Sequence, residues 1–102
     1  MTAYVIADTE IVDPALGRRY RDIAEKSIAR YGGRYVVRGG TVDPVEGDWN
    51  PKLFVIVEFP NLARAREWYD SPEYAEALVL RQTALRRRLI FVEGVATESS
   101  SS

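Results

Sequence analysis

The sequence predicts an α+β fold in which one four-stranded sheet carries its helices on a single face. The predicted elements follow one another as strand, helix, strand, strand, a helical region split in two, and strand. This order is that of the ferredoxin-like βαββαβ sandwich. The first and third strands are the most apolar, as expected for the central strands of that sheet. A chain of 102 residues with 46% hydrophobic residues is long enough for one such domain.

The first predicted strand covers residues 4–11, and its start is apolar on both faces. Asp13 is placed to cap a helix whose first turn holds Pro14. We expect this helix over residues 14–31, because its apolar side chains recur at the spacing of an amphipathic helix packed on a sheet. The side chains of this stripe are Leu16, Tyr20, Ile23, Ala24, Ser27, Ile28 and Tyr31.

The second predicted strand lies between two glycine pairs, in the stretch Y-G-G-R-Y-V-V-R-G-G at residues 31–40. Strict alternation along a strand places Arg34, Val36 and Arg38 on one face and Tyr35 and Val37 on the other. Arginines on a short strand fit either a solvated sheet edge or an anion-binding pocket. The sequence alone leaves both interpretations open.

A loop is predicted over residues 41–50, where Trp49 is expected to anchor the segment on the domain or on a partner. A ligand contact by Trp49 is the alternative. The third strand, residues 52–59, is apolar on both faces. Asn61 is expected to cap the short helix that follows Pro60.

The last helix is predicted to begin at Pro72, with Ser71 as its cap, and to end near Arg87. Its expected inner face carries Tyr74, Leu78, Arg81 and Leu85. The last strand is predicted over residues 89–95. We expect one domain over residues 1–96 and a flexible, serine-rich tail over residues 97–102.

The apolar character of both faces of the third strand predicts a homodimer. Helices cover only one face of a ferredoxin-like sheet, so the other face needs a second cover. Another copy of the same sheet is the simplest one. The sequence therefore predicts that two sheets face each other in a dimeric α/β barrel.

Several short motifs occur together along the chain. Y-G-G-R-Y-V-V-R-G-G is followed by E-G-D-W, V-I-V-E-F-P and S-P-E-Y, with Arg81 one helix face later. From Tyr4 to about Gly94 this combination resembles the DUF1330 family, a domain of unknown function. The resemblance implies the dimeric ferredoxin-like barrel and supplies no activity.

The composition argues against several classes of function. A formal charge of −1 gives no electrostatic footprint for nucleic acid or an anionic membrane. The chain has no cysteine and no histidine, which removes thiolate chemistry and the usual zinc and haem ligands. The N-terminus resembles neither an export signal nor a membrane span. We therefore expect a cytoplasmic protein without cofactor or metal, and without nucleic-acid or membrane partners.

Four side chains are candidates for a ligand-binding site: Arg38, Glu58, Tyr74 and Arg81. Glu58 and Arg81 are charges in otherwise apolar patterns, and a buried charge must be paired or change its protonation. One interpretation is a structural Glu58–Arg81 ion pair. The other is a pocket between sheet and helices. There an arginine would bind an anionic group, Tyr74 would donate a proton or hydrogen bond, and Glu58 would act as acid or base. Asp8 is a weaker candidate.

Two functions from different classes remain open on the sequence. The first is a small-molecule-binding domain for an anionic or oxygenated metabolite, extending to a cofactor-free enzyme. The second is a non-catalytic homodimeric interaction module with a structural Glu58–Arg81 pair. No feature of the sequence decides whether the chain is an enzyme, and no catalytic residue is assigned.

Overall fold

The computed structural model describes residues 1–95, and it confirms the predicted order of elements. The elements are β1 (Ala3–Ile11), α1 (Pro14–Arg30), β2 (Arg34–Arg38), β3 (Leu53–Phe59), α2 (Leu62–Tyr69), α3 (Pro72–Ala84) and β4 (Leu85–Glu93). The predicted domain end at residue 96 and the predicted tail over residues 97–102 lie outside the described residues.

The strands form one antiparallel sheet in the order β2-β3-β1-β4. The two most apolar strands, β1 and β3, are central, as the sequence predicts. At the middle of the sheet, Val5 of β1 lies between Val57 of β3 and Phe91 of β4. The fold is therefore the ferredoxin-like α+β sandwich.

The two faces of the sheet differ in burial because the helices cover only one of them. On the helix-facing side of β1, Val5 and Ala7 are buried. On the other side, here called the open face, Tyr4 and Ile6 are only half-buried. The sequence cannot distinguish these faces, because both carry apolar side chains.

The core between sheet and helices is centred on Trp68 of α2, which is 2% exposed. Its ring packs against Phe59 of β3 and Tyr74 of α3, with centroid distances of 5.5 and 4.3 Å. Its Nε1–H donates to the Oγ of Ser27 on α1 at 3.0 Å, and that hydroxyl donates to the carbonyl of Ala24 at 2.9 Å. Trp68 thus joins all three helices to the sheet.

Capping side chains fix where α1 and α3 begin. Asp13 Oδ1 accepts hydrogen bonds from the backbone N–H groups of Ala15 and Leu16 at 3.1 and 3.2 Å. Ser71 Oγ accepts one from the N–H of Tyr74 at 3.1 Å. Each cap satisfies N–H groups that have no partner within the helix. These two predicted caps are confirmed, and so is Asn61, whose Oδ1 accepts from the N–H of Arg64 at 2.8 Å at the start of α2.

The junction between α3 and β4 differs from the prediction. α3 ends at Ala84 and β4 begins at Leu85 without a loop, so the helix predicted to about Arg87 and the strand predicted from residue 89 are wrong. β4 pairs along the whole of β1, and the N–H of Val12 donates to the carbonyl of Ala84 at 2.8 Å. These hydrogen bonds outweigh the helical preference of residues 85–87. Alternation from Leu85 onwards turns Arg87 towards the helices.

A bulge in β2 is the second difference. The pairing with β3 shifts between Tyr35 and Val37, which leaves Val36 as an extra residue. After the shift, Arg38 lies on the helix-facing side together with Tyr35, whereas Arg34 lies on the open face. The prediction that Arg34, Val36 and Arg38 share one face is therefore wrong, because strict alternation does not survive an inserted residue.

The loop between β2 and β3 folds onto the open face through Trp49. The indole Nε1–H donates to Asp8 Oδ2 at 2.9 Å, and the ring meets Phe54 edge to face at 5.8 Å. Arg88 Nη2 donates to the same carboxylate oxygen at 2.9 Å. These two hydrogen bonds, the one from Trp49 first, lower the pKa of Asp8. The prediction that Trp49 anchors this loop is confirmed.

Candidate functional site

A cleft of about 650 Å³ lies between α1 and the helix-facing side of the sheet. Its floor is aliphatic and includes Val5 and Val55 of the two central strands. Its polar groups come from α1, from the end of β2 and from β4. Ligand pockets in proteins commonly combine a mostly apolar lining with a few polar groups, as this cleft does.

Small side chains on both walls leave the room for this cleft. Gly17 and Ala24 line the cleft on the α1 side, and Ala7 and Thr9 of β1 line it on the sheet side. All four residues are buried, so they belong to the interior of the domain. A well-packed interior would fill such a space with larger side chains. The small size of these four side chains therefore contributes to the opening.

Tyr20 of α1, Tyr74 of α3 and Arg87 of β4 form a cluster at one wall of the cleft, here called the Tyr–Tyr–Arg cluster. The two phenol oxygens lie 2.5 Å apart. Arg87 donates from Nη2 to the Tyr74 oxygen at 2.7 Å and from Nη1 to the Tyr20 oxygen. Tyr20 and Arg87 line the cleft, and Tyr74 is fully buried behind them.

The charge of Arg87 has no carboxylate partner among residues 1–95. The ion pairs in this part of the chain involve other arginines, and the two acceptors of Arg87 are neutral phenols. A guanidinium stays protonated in proteins, so Arg87 brings an uncompensated positive charge into a partly buried position. Such a charge costs free energy unless a counter-charge or a strong acceptor meets it.

The donors and acceptors of the three side chains determine which phenol donates in the hydrogen bond between Tyr20 and Tyr74. Arg87 can only donate, so the O–H of Tyr74 has only the Tyr20 oxygen to donate to. Leaving that buried O–H unpaired would cost free energy, so Tyr74 donates to Tyr20. The O–H of Tyr20 is then free to donate into the cleft. Burial, and then proximity to Tyr20, raises the pKa of Tyr74 well above its ordinary value and keeps this phenol protonated.

A second polar group lies where β2 ends at the cleft. The Arg38 guanidinium stacks on the Tyr35 ring, 4.3 Å from its centroid, and forms an ion pair with Glu25 of α1. Burial is the main cause that raises the pKa of Tyr35 to about 12, so this phenol is also protonated at neutral pH. The Arg38–Glu25 pair is more than one-third exposed on both sides and lies at the solvent edge.

The cleft is electropositive although the chain is not. Its charged lining residues are Arg18, Arg21, Asp22, Glu25, Arg38 and Arg87. These are four arginines and two carboxylates, an excess of two positive charges in a chain whose formal net charge is −1. Charge of one sign gathered in a cleft attracts ligands of the opposite sign.

In the part of the chain that the structure describes, no three metal-ligating side chains lie together, so these residues form no candidate metal site. None of the helices within residues 1–95 combines the length and apolar character that crossing a membrane requires. The cytoplasmic location stays a prediction.

The family model described as "Domain of unknown function (DUF1330)" matches residues 2–95. The chain belongs to the DUF1330 family. The resemblance predicted from the short motifs is thereby confirmed. No curated protein matches this DUF1330 chain in sequence.

Solved structures share the fold of this DUF1330 chain at low sequence identity. RPA0582, a protein of unknown function from Rhodopseudomonas palustris, is 21% identical with a TM-score of 0.77; the match covers 93% of this chain and 83% of that one. A dimeric ferredoxin-like protein of unknown function from Thermobifida fusca is 19% identical with a TM-score of 0.64 and 92% of each chain covered. SnoaB, a cofactor-independent oxygenase from Streptomyces nogalater, is 9% identical with a TM-score of 0.64; the match covers 93% of this chain and 94% of that one. At these identities the likeness shows the fold alone.

The structure of the DUF1330 chain brings together only two of the four predicted site residues. Arg38 lines the cleft, and Tyr74 supports it through Tyr20. Glu58 lies on the open face, where its Oε1 accepts from Arg34 Nε at 2.6 Å. The predicted Glu58–Arg81 ion pair is therefore wrong, because the sheet separates Glu58 from the helices. Arg81 is half-buried on α3 and does not join the Tyr–Tyr–Arg cluster.

Sequence reasoning missed the roles of three residues in this DUF1330 site: Tyr20, Tyr35 and Arg87. Tyr20 is in the predicted apolar stripe of α1, but nothing in that stripe marks its hydroxyl as functional. Arg87 was hidden by the wrong end of α3. The signal that could have found it is the alternation Leu85, Arg87, Leu89, which places one charge on an apolar face of a strand.

Proposed function

We propose that this DUF1330 chain binds a small, largely apolar molecule with an acidic or electron-rich oxygen in the cleft between α1 and the sheet. The observation that carries the proposal is the Arg87 guanidinium, which is partly buried at the cleft and bonded to two neutral phenols. A ligand oxygen would compensate its charge. The aliphatic floor would take the apolar body of the ligand.

The chemistry that the site offers is stabilisation of negative charge on an oxygen of the bound molecule. Burial keeps Tyr74 protonated, so the cluster would act through hydrogen-bond donation rather than as a base. We extend the proposal to a cofactor-free reaction in which charge develops on that oxygen. The description of SnoaB as a cofactor-independent oxygenase supports this extension by analogy of fold.

The alternative function, a non-catalytic interaction module, depends on a structural Glu58–Arg81 pair in a filled interior. Glu58 pairs with Arg34 on the open face instead, and the interior contains a cleft. An interaction module does not require an uncompensated Arg87 guanidinium beside a cleft, whereas a ligand-binding site does. The ligand-binding proposal therefore explains more of the structure.

We also propose that the chain is a homodimer in which the open faces of two sheets meet. Ile90 and Val92 of β4 are 57% and 39% exposed on that face. Apolar exposure in a row on a sheet commonly marks an interface. The Thermobifida fusca neighbour is described as dimeric, which supports the same assembly here.

Substitution of Ile90 tests the dimer. Ile90→Glu should convert the dimer to monomer in sedimentation-velocity ultracentrifugation, because a charge on each copy would be buried against the other. Val79→Glu is the matched control, since Val79 is 69% exposed but lies on α3. A monomeric wild type, or an Ile90→Glu variant that stays dimeric, would contradict this assembly.

Ligand binding is tested with a panel of apolar carboxylic acids, phenols and ketones. Thermal-shift measurements on the wild type should find compounds that raise the melting temperature, and calorimetry should give their dissociation constants. Arg87→Met should weaken their binding roughly ten- to hundredfold, the loss expected for a hydrogen bond to a charged group. Arg86→Met removes the neighbouring charge on the open face and should leave binding unchanged. The proposal fails if no compound binds or if Arg87→Met binds them as the wild type does.

A further inference from the structure

We infer that the ligand meets the Tyr–Tyr–Arg cluster through a single oxygen atom, that of a ketone, a phenol or an enolate, rather than through a carboxylate or phosphate group. This inference rests on the proposed function of the cleft and names the class of molecule that it takes. Three features of the cluster support it. The phenols occupy one edge of the Arg87 guanidinium, they leave one free O–H, and that O–H is polarised.

Each terminal nitrogen of Arg87 already uses one of its N–H groups, on the edge of the guanidinium that faces the phenols. Nη1 donates to the Tyr20 oxygen and Nη2 to the Tyr74 oxygen, and these oxygens are 2.5 Å apart. Arginine binds a carboxylate in the same way, with one carboxylate oxygen on each terminal nitrogen. The phenols therefore occupy the position that a ligand carboxylate would take on this end of the guanidinium.

The phenols themselves leave one free donor. Tyr74 is fully buried and uses its O–H on Tyr20, so of the two phenols only Tyr20 has an O–H left for a ligand. A carboxylate or phosphate brings two or three strong acceptor oxygens. Only one of them would find a phenol donor, and the others would depend on the N–H groups that Arg87 has left away from the phenols. A single ketone, phenol or enolate oxygen fits the one donor.

That one donor is stronger than an isolated phenol. The Tyr20 oxygen accepts from both Arg87 and Tyr74, and a hydroxyl that accepts hydrogen bonds donates more strongly. The charge of Arg87 thus acts on the ligand by polarising the Tyr20 O–H. This arrangement favours an oxygen with partial or developing negative charge, while the aliphatic floor around Val5 and Val55 favours a hydrocarbon body.

Two probes with the same body and different head groups test the inference: 2-naphthol and 2-naphthoic acid. Titration calorimetry on the wild-type protein at neutral pH should show 2-naphthol binding at least about tenfold more tightly. Tyr20→Phe should weaken 2-naphthol binding roughly ten- to hundredfold and change 2-naphthoate binding by less than about threefold. Tyr4→Phe, which removes a phenol hydroxyl from the open face, should leave both constants unchanged.

The outcomes separate this inference from the proposed function. If 2-naphthoate binds as tightly as 2-naphthol or more tightly, and Arg87→Met abolishes that binding, the single-oxygen inference is overturned and the proposed function stands. If neither probe binds, both are overturned. Unchanged 2-naphthol binding in a folded Tyr20→Phe variant also overturns the inference. The comparison of the two probes on the wild type decides the matter even if that variant does not fold.

Discussion

Trp68→Ala should lower the free energy of unfolding by about 3 to 5 kcal/mol, the range for removing a large aromatic side chain from a core. Trp68 is 2% exposed and stacks on Phe59 and Tyr74, so its removal leaves a cavity at the meeting point of sheet and helices. The Oγ of Ser27 also loses the indole donor. Domains are typically stable by only 5 to 15 kcal/mol, so this single change removes a large share of the total.

Urea denaturation followed by circular dichroism measures the effect, at equal protein concentration because dimerisation adds to apparent stability. The chain offers a matched control in Trp49→Ala, the same substitution at a side chain that is 53% exposed. This control should lose only about 1 to 2 kcal/mol, from its hydrogen bond to Asp8 and its contact with Phe54. Equal losses for the two variants would contradict the assignment of Trp68 as the centre of the core.

Arg87→Met should be more stable than the wild type without ligand and less stable than the wild type with ligand. Without ligand, the variant should be more stable than the wild type by about 1 kcal/mol, because methionine removes an uncompensated, partly buried charge and keeps an apolar stem. With ligand at a hundred times its dissociation constant, the wild type should gain about 2.7 kcal/mol, and the variant much less. Melting curves with and without the best compound of the panel measure both differences.

The same curves on Arg86→Met provide the reference, since this neighbouring arginine is exposed on the open face. That variant should follow the wild type in both conditions. A ligand-free Arg87→Met protein that is less stable than the wild type by more than about 1 kcal/mol would mean that the charge is already compensated by the fold. The proposed function would then lose the uncompensated charge on which it rests.

Most of the fold could be predicted because strong local signals agree with the topology. Asp13 and Ser71, each followed by proline, mark the starts of two helices, and the apolar third strand marks the centre of the sheet. Two details could not be predicted. The bulge at Val36 depends on pairing with β3, and the start of β4 at Leu85 depends on pairing with β1. Both come from contacts between strands that are distant in sequence.

The site was harder to predict than the fold, since its residues come from elements whose relative faces the sequence does not give. Arg38 was identified, although its position beside Tyr35 depends on the bulge. Glu58 was placed with the helices because both faces of β3 are apolar and nothing in the sequence distinguishes them. Arg87 was assigned to a helix end, where an arginine has an ordinary explanation in the helix dipole.

The absence of a loop between α3 and β4 has a consequence for how the cleft meets its ligand. Tyr74 and Arg87 stand on either side of that junction, which the hydrogen bond from Val12 to the carbonyl of Ala84 holds in place. Their mutual geometry is therefore settled when the chain folds, and little rotational freedom is left to be lost at the moment of binding. Tyr20 belongs to a different segment, α1, and is the member of the cluster that this junction does not hold. The half of the cluster formed by Tyr74 and Arg87 is therefore preorganised for binding.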